Sequence, residues 1–390
     1  MRSYLGVFLA TAGVTFVTTP LVRLGATRVK AIDYPSERKV HARPTPTLGG
    51  IAMLVGILVG FAVARLTPAL APAFRFSSEL QGALLAALAA CALGVIDDLR
   101  NLSAPAKVAG QVLAASLLVL NGVELLFFWL PLPRQGVLSL GPDLAVPLTI
   151  LWVLILVNAV NLIDGLDGLA AGIVFIAAAA FFVYAYRVPP ATGSATLQAA
   201  PILCAVVAGA CIGFLPWNFP PARIIMGDTG SMLLGMLLAA ATISAIGRTL
   251  QPTGHDVAAF SIPLLIPVLV LAVPLLDVVL AIVRRLAHHR PVFAPDKNHI
   301  HHQLLQVGHS QRQTVLLMYL WSAILAGSAL GLTYVSSRGV ATATVLFALL
   351  VVAGTLVPRL LRVSRGTRAA GTREAAARTA GHPEEPDRRA

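Results

Sequence analysis

The chain has 390 residues, 57% of them hydrophobic and 12% charged, with a formal net charge of +12. A soluble domain is about 45–50% apolar and about 25% charged, so this composition excludes a water-soluble fold, which could not cover its own surface. In a membrane protein the distribution of Lys and Arg reports orientation, and no nucleic acid is expected as a partner.

A spanning helix needs about 20 predominantly apolar residues. Eleven such runs occur, at 4–24, 48–67, 79–97, 108–128, 146–163, 169–186, 199–217, 231–248, 258–283, 314–335 and 340–358. The runs are continuous and do not alternate, which rules out a membrane barrel. The predicted fold is all-α, a polytopic transmembrane bundle of about eleven spans. Its membrane-embedded domain covers 1–360, and a disordered basic tail covers 361–390. The first run has no small-residue cleavage pattern near Pro20 and is read as a span rather than a signal peptide. Cys91, Cys204 and Cys211 all fall inside apolar runs and read as small buried residues.

With eleven spans, the odd-numbered connections and the C-terminal tail share one side. That side carries 22 of the Lys and Arg residues and the other side carries 7. The excess places the odd connections and the tail in the cytoplasm, with the N-terminus outside.

The polar motifs come next, in chain order. Connection one holds Glu37 to Gly50, with Lys39, Arg43 and the run Pro44-Thr-Pro-Thr-Leu-Gly-Gly50. The third span ends on Asp97 and Asp98, where the negative end of the helix makes carboxylates costly. They are either a solvated pair near Arg100 or Lys107, or groups facing a cation or a proton. Asn158, Asn161, Asp164 and Asp167 recur every third residue before Gly168. Asparagine inside an apolar run must face the bundle interior, as an interhelical bond or as part of a site. Gly227-Asp-Thr-Gly-Ser231 opens the eighth span. Asp228 or Ser231 could simply cap that helix. Alternatively, a phosphate at the helix N-terminus would need a cation between itself and Asp228, which implies Mg²⁺. His299, His301 and His302 lie beside Asp296 and Lys297. They suit a polyphosphate better than zinc, because no Cys or Glu stands at a usual spacing. Asp277 lies inside the ninth predicted span without an assignable role. The topology, drawn from hydropathy and charge, puts all five polar segments on one membrane face.

At these residues the chain resembles the polyprenyl-phosphate N-acetylhexosamine-1-phosphate transferase family, glycosyltransferase family 4. The resemblance rests on Pro44 to Gly50, Gly94-Val-Ile-Asp-Asp98, Lys107 with Gly110-Gln111, Asn158 to Gly168, Gly227 to Ser231 and His299-Ile-His-His302. It covers about residues 1–360. It implies transfer of a phospho-N-acetylhexosamine from a UDP-sugar to a polyprenyl phosphate, with release of UMP. The muramoyl-pentapeptide branch usually has three consecutive histidines followed by Phe-Glu. Here Ile300 interrupts the histidines and Gln303-Leu-Leu follows. That pattern looks like the UDP-N-acetylglucosamine branch, which opens cell-envelope polysaccharide synthesis.

The resemblance further implies Asp97, Asp98 and Asp228 as catalytic residues, Asp97 being the candidate base. It implies Mg²⁺, for which Mn²⁺ can substitute, held by Asp228 and Asn158. Lys39, Arg43, Thr47, Lys107, Asn161, Asp164, Asp167, Asn218, His299, His301 and His302 are its substrate-binding residues. The implied setting is the plasma membrane, with a cytoplasmic site and room for a homodimer. Direct attack by the lipid phosphate and a covalent aspartyl route both fit. A secondary transporter is the rival class, but transporter sites lie near the midplane between repeated halves. Here the motifs sit at one face and do not repeat.

Overall fold

Inside a bilayer a backbone can satisfy its polar groups only within the segment, so apolar runs of this length become helices. The computed structural model describes residues 1–34, 44–132, 135–187, 199–246, 309–334 and 346–347. The chain divides into two units, Met1–Ser337 and Arg338–Ala390, and only Leu346 and Phe347 of the second are described.

The long helices in the first unit are α1 (Arg2–Arg28), α2 (Gly49–Leu66), α4 (Glu79–Arg100), α5 (Ala104–Leu120), α6 (Pro142–Ile163), α7 (Leu169–Arg187), α8 (Ala199–Asn218), α9 (Gly227–Ile246) and α10 (Gln311–Tyr334). A single turn, α3 (Pro72–Arg75), joins α2 to α4. All of these except α3 and α5, eight helices in number, are long and apolar enough to cross a membrane. The expected span at 258–283 with Asp277, all of the one at 340–358 but Leu346 and Phe347, and the 361–390 tail lie outside the described residues.

Among the described residues two departures from an all-helical chain occur. A two-residue antiparallel pairing joins β1 (Ile32–Asp33) to β2 (Thr45–Pro46). A hairpin of β3 (Phe127–Leu132) and β4 (Gln135–Ser139) follows α5. The predicted span at 108–128 therefore ran too far. The helix covers 104–120, about 25 Å at 1.5 Å per residue. It stops at Asn121-Gly122, where Gly122 takes φ +78°. Residues 127–132, Phe-Phe-Trp-Leu-Pro-Leu, are aromatic-rich and continue as strand. Hydropathy alone had fused an apolar helix with an apolar strand.

Helices α8 and α9 are the centre. Four-fifths or more of their apolar stretch is buried, as expected of helices hydrophobic on every side. Helix α1 packs on α2 and α8, α4 and α6 pack on α9, α7 packs on α8, and α10 packs on α7. The α1 contact uses a stripe of buried threonines, Thr11, Thr15 and Thr19. Thr11 and Thr19 donate to the carbonyls four residues back, at 2.9 and 2.6 Å. The stripe lies over Gly56 and Gly60 of α2 and Gly209 of α8, where an added methyl would strike it. Small residues let membrane helices approach this closely. The opposite face of α1 exposes Leu5, Leu9, Phe16, Val17, Leu21 and Leu24.

Candidate active site

The first turn of a helix leaves N–H groups without partners. In α2 two of these are used as stitches: Gly49 N–H donates to the carbonyl of Ile225 and Gly50 N–H to that of Met226, each at 3.0 Å. Ile225 N–H in return donates to the Pro46 carbonyl at 2.9 Å. The Pro44–Gly50 motif is thereby bound to the segment that opens α9. Contact is close enough that a Cβ on Gly50 would lie 2.5 Å from Gly230 Cα. One on Gly94 of α4 would lie 2.5 Å from the Asp228 carbonyl oxygen and from Thr229 N. Residues 228–230 are thus clamped between two glycines, and Thr47 is buried beside them.

Asp98, at the end of α4, accepts from Asp228 N–H at 2.9 Å, from Thr229 N–H at 3.1 Å and from Thr229 Oγ1 at 2.6 Å. Asp97 turns the other way. Its Oδ1 accepts from Leu102 N–H at 2.7 Å, beyond the left-handed Asn101 that ends α4. Its Oδ2 pairs with Lys107 Nζ at 2.8 Å. Lys107, in the first turn of α5, also pairs with Asp228 Oδ2 at 2.7 Å. The other Asp228 oxygen accepts from Asn161 Nδ2, and the same Asn161 amide reaches Ser231 Oγ at 2.9 Å. Neither Asp228 nor Ser231 caps α9 with its side chain; the Asp98 carboxylate does so from α4. Five helix ends, those of α2, α4, α5, α6 and α9, therefore meet at one end of the bundle.

The loop after α6 is held separately. Asn218, 1% exposed, accepts from Gly168 N–H and donates to the Ile224 carbonyl, both at 2.9 Å. Its amide is committed to backbone and ties loop 164–168 to loop 219–224. Asp167 Oδ2 accepts from Ala222 N–H at 3.0 Å. Tyr319 of α10 donates to the Gly168 carbonyl, and Arg312 Nε to that of Pro220 at 2.8 Å. Asn158 lies one turn deeper than Asn161 and exchanges amide bonds with Gln111 of α5, the Asn158 Nδ2 to Gln111 Oε1 bond being 2.8 Å.

Asp164, just past the end of α6, has its carboxyl raised well above the ordinary carboxylate range. Burial is the largest cause, and the charges of Asp228, Asp98, Asp167 and Asp33 push the same way. Lys107 offsets part of this negative charge. Among the described residues no three His, Cys, Asp or Glu side chains already converge as a metal cage. The donors are nonetheless all oxygen and carry excess negative charge, which fits a hard divalent cation that completes its shell with substrate phosphates and water. The side chain of Asp228 is 28% exposed, so its carboxylate can be reached.

The structure brings together Asp97, Asp98, Lys107, Asn161, Asp228 and Thr47. Asp164, Asp167 and Asn218 form the adjoining loop layer, and Asn158 sits below with Gln111. Lys39, Arg43, His299, His301 and His302 lie outside the described residues. Sequence reasoning passed over Gln111, Thr229 and Ser231 as side chains with a part in the site. For Gln111 the signal was there: an amide inside an apolar helix needs a polar partner, and it is 1% exposed.

Residues 80–246 match the sequence profile of glycosyl transferase family 4. The chain is 42% identical over 367 residues to the decaprenyl-phosphate N-acetylglucosaminephosphotransferase of Mycobacterium tuberculosis, covering 93% of this chain and 90% of that one. It is 36% identical to the probable undecaprenyl-phosphate N-acetylglucosaminyl 1-phosphate transferase of Bacillus subtilis, covering 83% of each. To the phospho-N-acetylmuramoyl-pentapeptide-transferase of Desulforudis audaxviator it is 33% identical, over 85% of this chain and 99% of that one.

Proposed function

The chain belongs to glycosyl transferase family 4, and on that premise we propose that it transfers N-acetylglucosamine-1-phosphate from UDP-N-acetylglucosamine to a polyprenyl phosphate, releasing UMP. The observation that carries this reading is the 42% identity, over nearly the whole chain, to a decaprenyl-phosphate N-acetylglucosaminephosphotransferase. The interrupted histidine motif, His299-Ile-His-His302, supports the same donor.

The chemistry suits the place. The acceptor keeps its tail in lipid and its phosphate at the headgroup plane, so the reaction belongs at the end of a helical bundle. A nucleotide donor comes from the cytosol, and the Lys and Arg asymmetry supports a cytoplasmic site in the plasma membrane. In the direct route an oxygen of the acceptor phosphate attacks the phosphorus attached to the sugar. A new phosphoanhydride bond forms as the bond to UMP breaks. Mg²⁺, when bound, lowers the repulsion between the phosphates and stabilises the charge that moves to the leaving UMP. Asp228 is the proposed holder, with Asn158 one turn along α6 from the Asp228 partner Asn161. Asp97 is the proposed base. The Leu102 amide, Lys107 and the Asp228 side chain hold its carboxylate in place. Lys107 steadies Asp97 against Asp228 and supplies positive charge to the incoming phosphates. Asn161, Asp164 and Asp167 face the donor, and the three histidines with Lys39 and Arg43 attend its phosphates.

The test is purified protein with radiolabelled UDP-N-acetylglucosamine, polyprenyl phosphate and Mg²⁺. The expected products are labelled lipid and UMP in equal amounts, lost on EDTA treatment and restored by Mg²⁺ or Mn²⁺. Turnover of only UDP-N-acetylmuramoyl-pentapeptide, when both donors are offered, would overturn the donor assignment.

A further inference from the structure

Helix α9 opens at Gly227 without a capping side chain of its own. Gly227 has none to offer, and the Asp228 carboxylate faces sideways to Lys107 and Asn161. The missing cap comes from another helix: both oxygens of Asp98 are occupied by the Asp228 amide, the Thr229 amide and the Thr229 hydroxyl. Gly227 holds φ +71°, and a side chain there would run into the Asp98 carboxylate. One turn earlier on α4, Gly94 lets the two backbones touch. Three separate features therefore fix α9 against α4 at the residue that carries the Asp228 carboxylate.

We propose that Asp98 is a positioning residue: it caps α9 across the helix interface and sets where Asp228 stands, and it neither takes the acceptor's proton nor holds the metal. The inference rests on the reading of Asp228 as the residue that holds Mg²⁺. All three bonds of this carboxylate go to one helix N-terminus, so both of its oxygens are committed to that contact. Asp97, beside it in sequence, meets the Leu102 amide, Lys107 and the Asp228 side chain instead of the α9 amides, so the two adjacent aspartates divide the work of alignment and chemistry.

The experiment uses full-length protein in detergent, with Asp98→Asn, Thr229→Val and the double variant. The first readout, independent of metal, is amide hydrogen exchange over residues 226–233. Asp98→Asn keeps the shape but replaces one acceptor oxygen by a donor, and exchange at Asp228 and Thr229 should speed by about tenfold or more. The second is Mn²⁺ binding without donor, followed by electron paramagnetic resonance, which should weaken by about tenfold as well. Thr229→Val leaves the carboxylate intact and should move both readouts less. The double variant should fall short of the product of the two, because both remove one contact. The residual activity of Asp98→Asn should keep the pH dependence of the parent. Unchanged exchange and Mn²⁺ affinity with turnover abolished would make Asp98 a chemical group and overturn the proposal. So would fully multiplicative effects. If Asp98→Asn does not fold, unchanged exchange in Thr229→Val overturns it equally. Should the parent bind no Mn²⁺, the metal reading fails, while the exchange result still decides whether Asp98 sets the position of α9.

Discussion

Gly94→Ala tests how tightly the site depends on backbone contact between α4 and α9. The new methyl would lie 2.5 Å from the Asp228 carbonyl oxygen, Thr229 N and Thr229 Cα. Ordinary contact begins at 3.4 Å, and none of the three atoms can rotate away because all belong to the backbone. Relief therefore requires α9 to move off α4 by roughly 1 Å, the scale on which overpacking costs about 1–3 kcal/mol. The same shift would stretch the Asp98 bonds, now 2.9 and 3.1 Å, beyond hydrogen-bond length. A misplacement of about 1 Å can lower turnover about a hundredfold. The assay is lipid-product formation at saturating donor and Mg²⁺, with Gly82→Ala as control. Gly82 lies at the far end of the same helix, and its added methyl would meet the side chain of Asn121. The control should cost packing but leave turnover near the parent's. A Gly94→Ala protein with parental turnover would refute the argument that this backbone contact sets the site.

Asp228→Asn keeps the side-chain shape and leaves the Asp98 cap untouched, so folding should be nearly unchanged while turnover falls about a hundredfold or more. Parental turnover with an unaltered Mg²⁺ requirement would remove Asp228 from the metal site. Asp164 predicts a pH effect on stability in EDTA. Its folded-state value is raised, so its protonated form favours the fold. That contribution is complete below the unfolded value, about pH 4, and is lost as pH rises through the raised one. The parent's thermal stability should therefore fall more steeply with rising pH above about pH 4 than that of Asp164→Asn. Identical slopes in the two proteins would sink this account of the acidic layer.

Hydropathy made the helices legible, because a bilayer leaves the backbone few alternatives. The predicted run at 199–217 and the observed α8 at 199–218 differ by one residue. The error at 108–128 arose because an aromatic strand and an apolar helix look alike to a sum over side chains. The motifs also placed the acidic residues at one end of the bundle. Their division of labour was hidden. Asp97 and Asp98 are neighbours in sequence, and only the direction each takes from the last turn of α4 separates one facing Lys107 from one capping α9. Asn218 entered as a contact of the nucleotide-sugar through the resemblance alone. Its 1% exposure and two backbone bonds depend on loop 219–224, whose path local sequence does not dictate.

The Asp98 cap spans 130 residues of chain, and this separation bears on how the protein is made. At a synthesis rate of about 5–20 residues per second, roughly 10 s pass between the emergence of α4 and that of the amides it caps. During that interval the Asp98 carboxylate and the first-turn amides of α2 sit at the bilayer edge without their final partners, held by water. The nascent first half is thus a set of inserted helices with an unfinished face. Residues 225–229 supply those partners when they arrive, joining α2, α4 and α5 to α9. Chains truncated before Gly227 should insert but stay open at that end, as prey for membrane quality-control proteases.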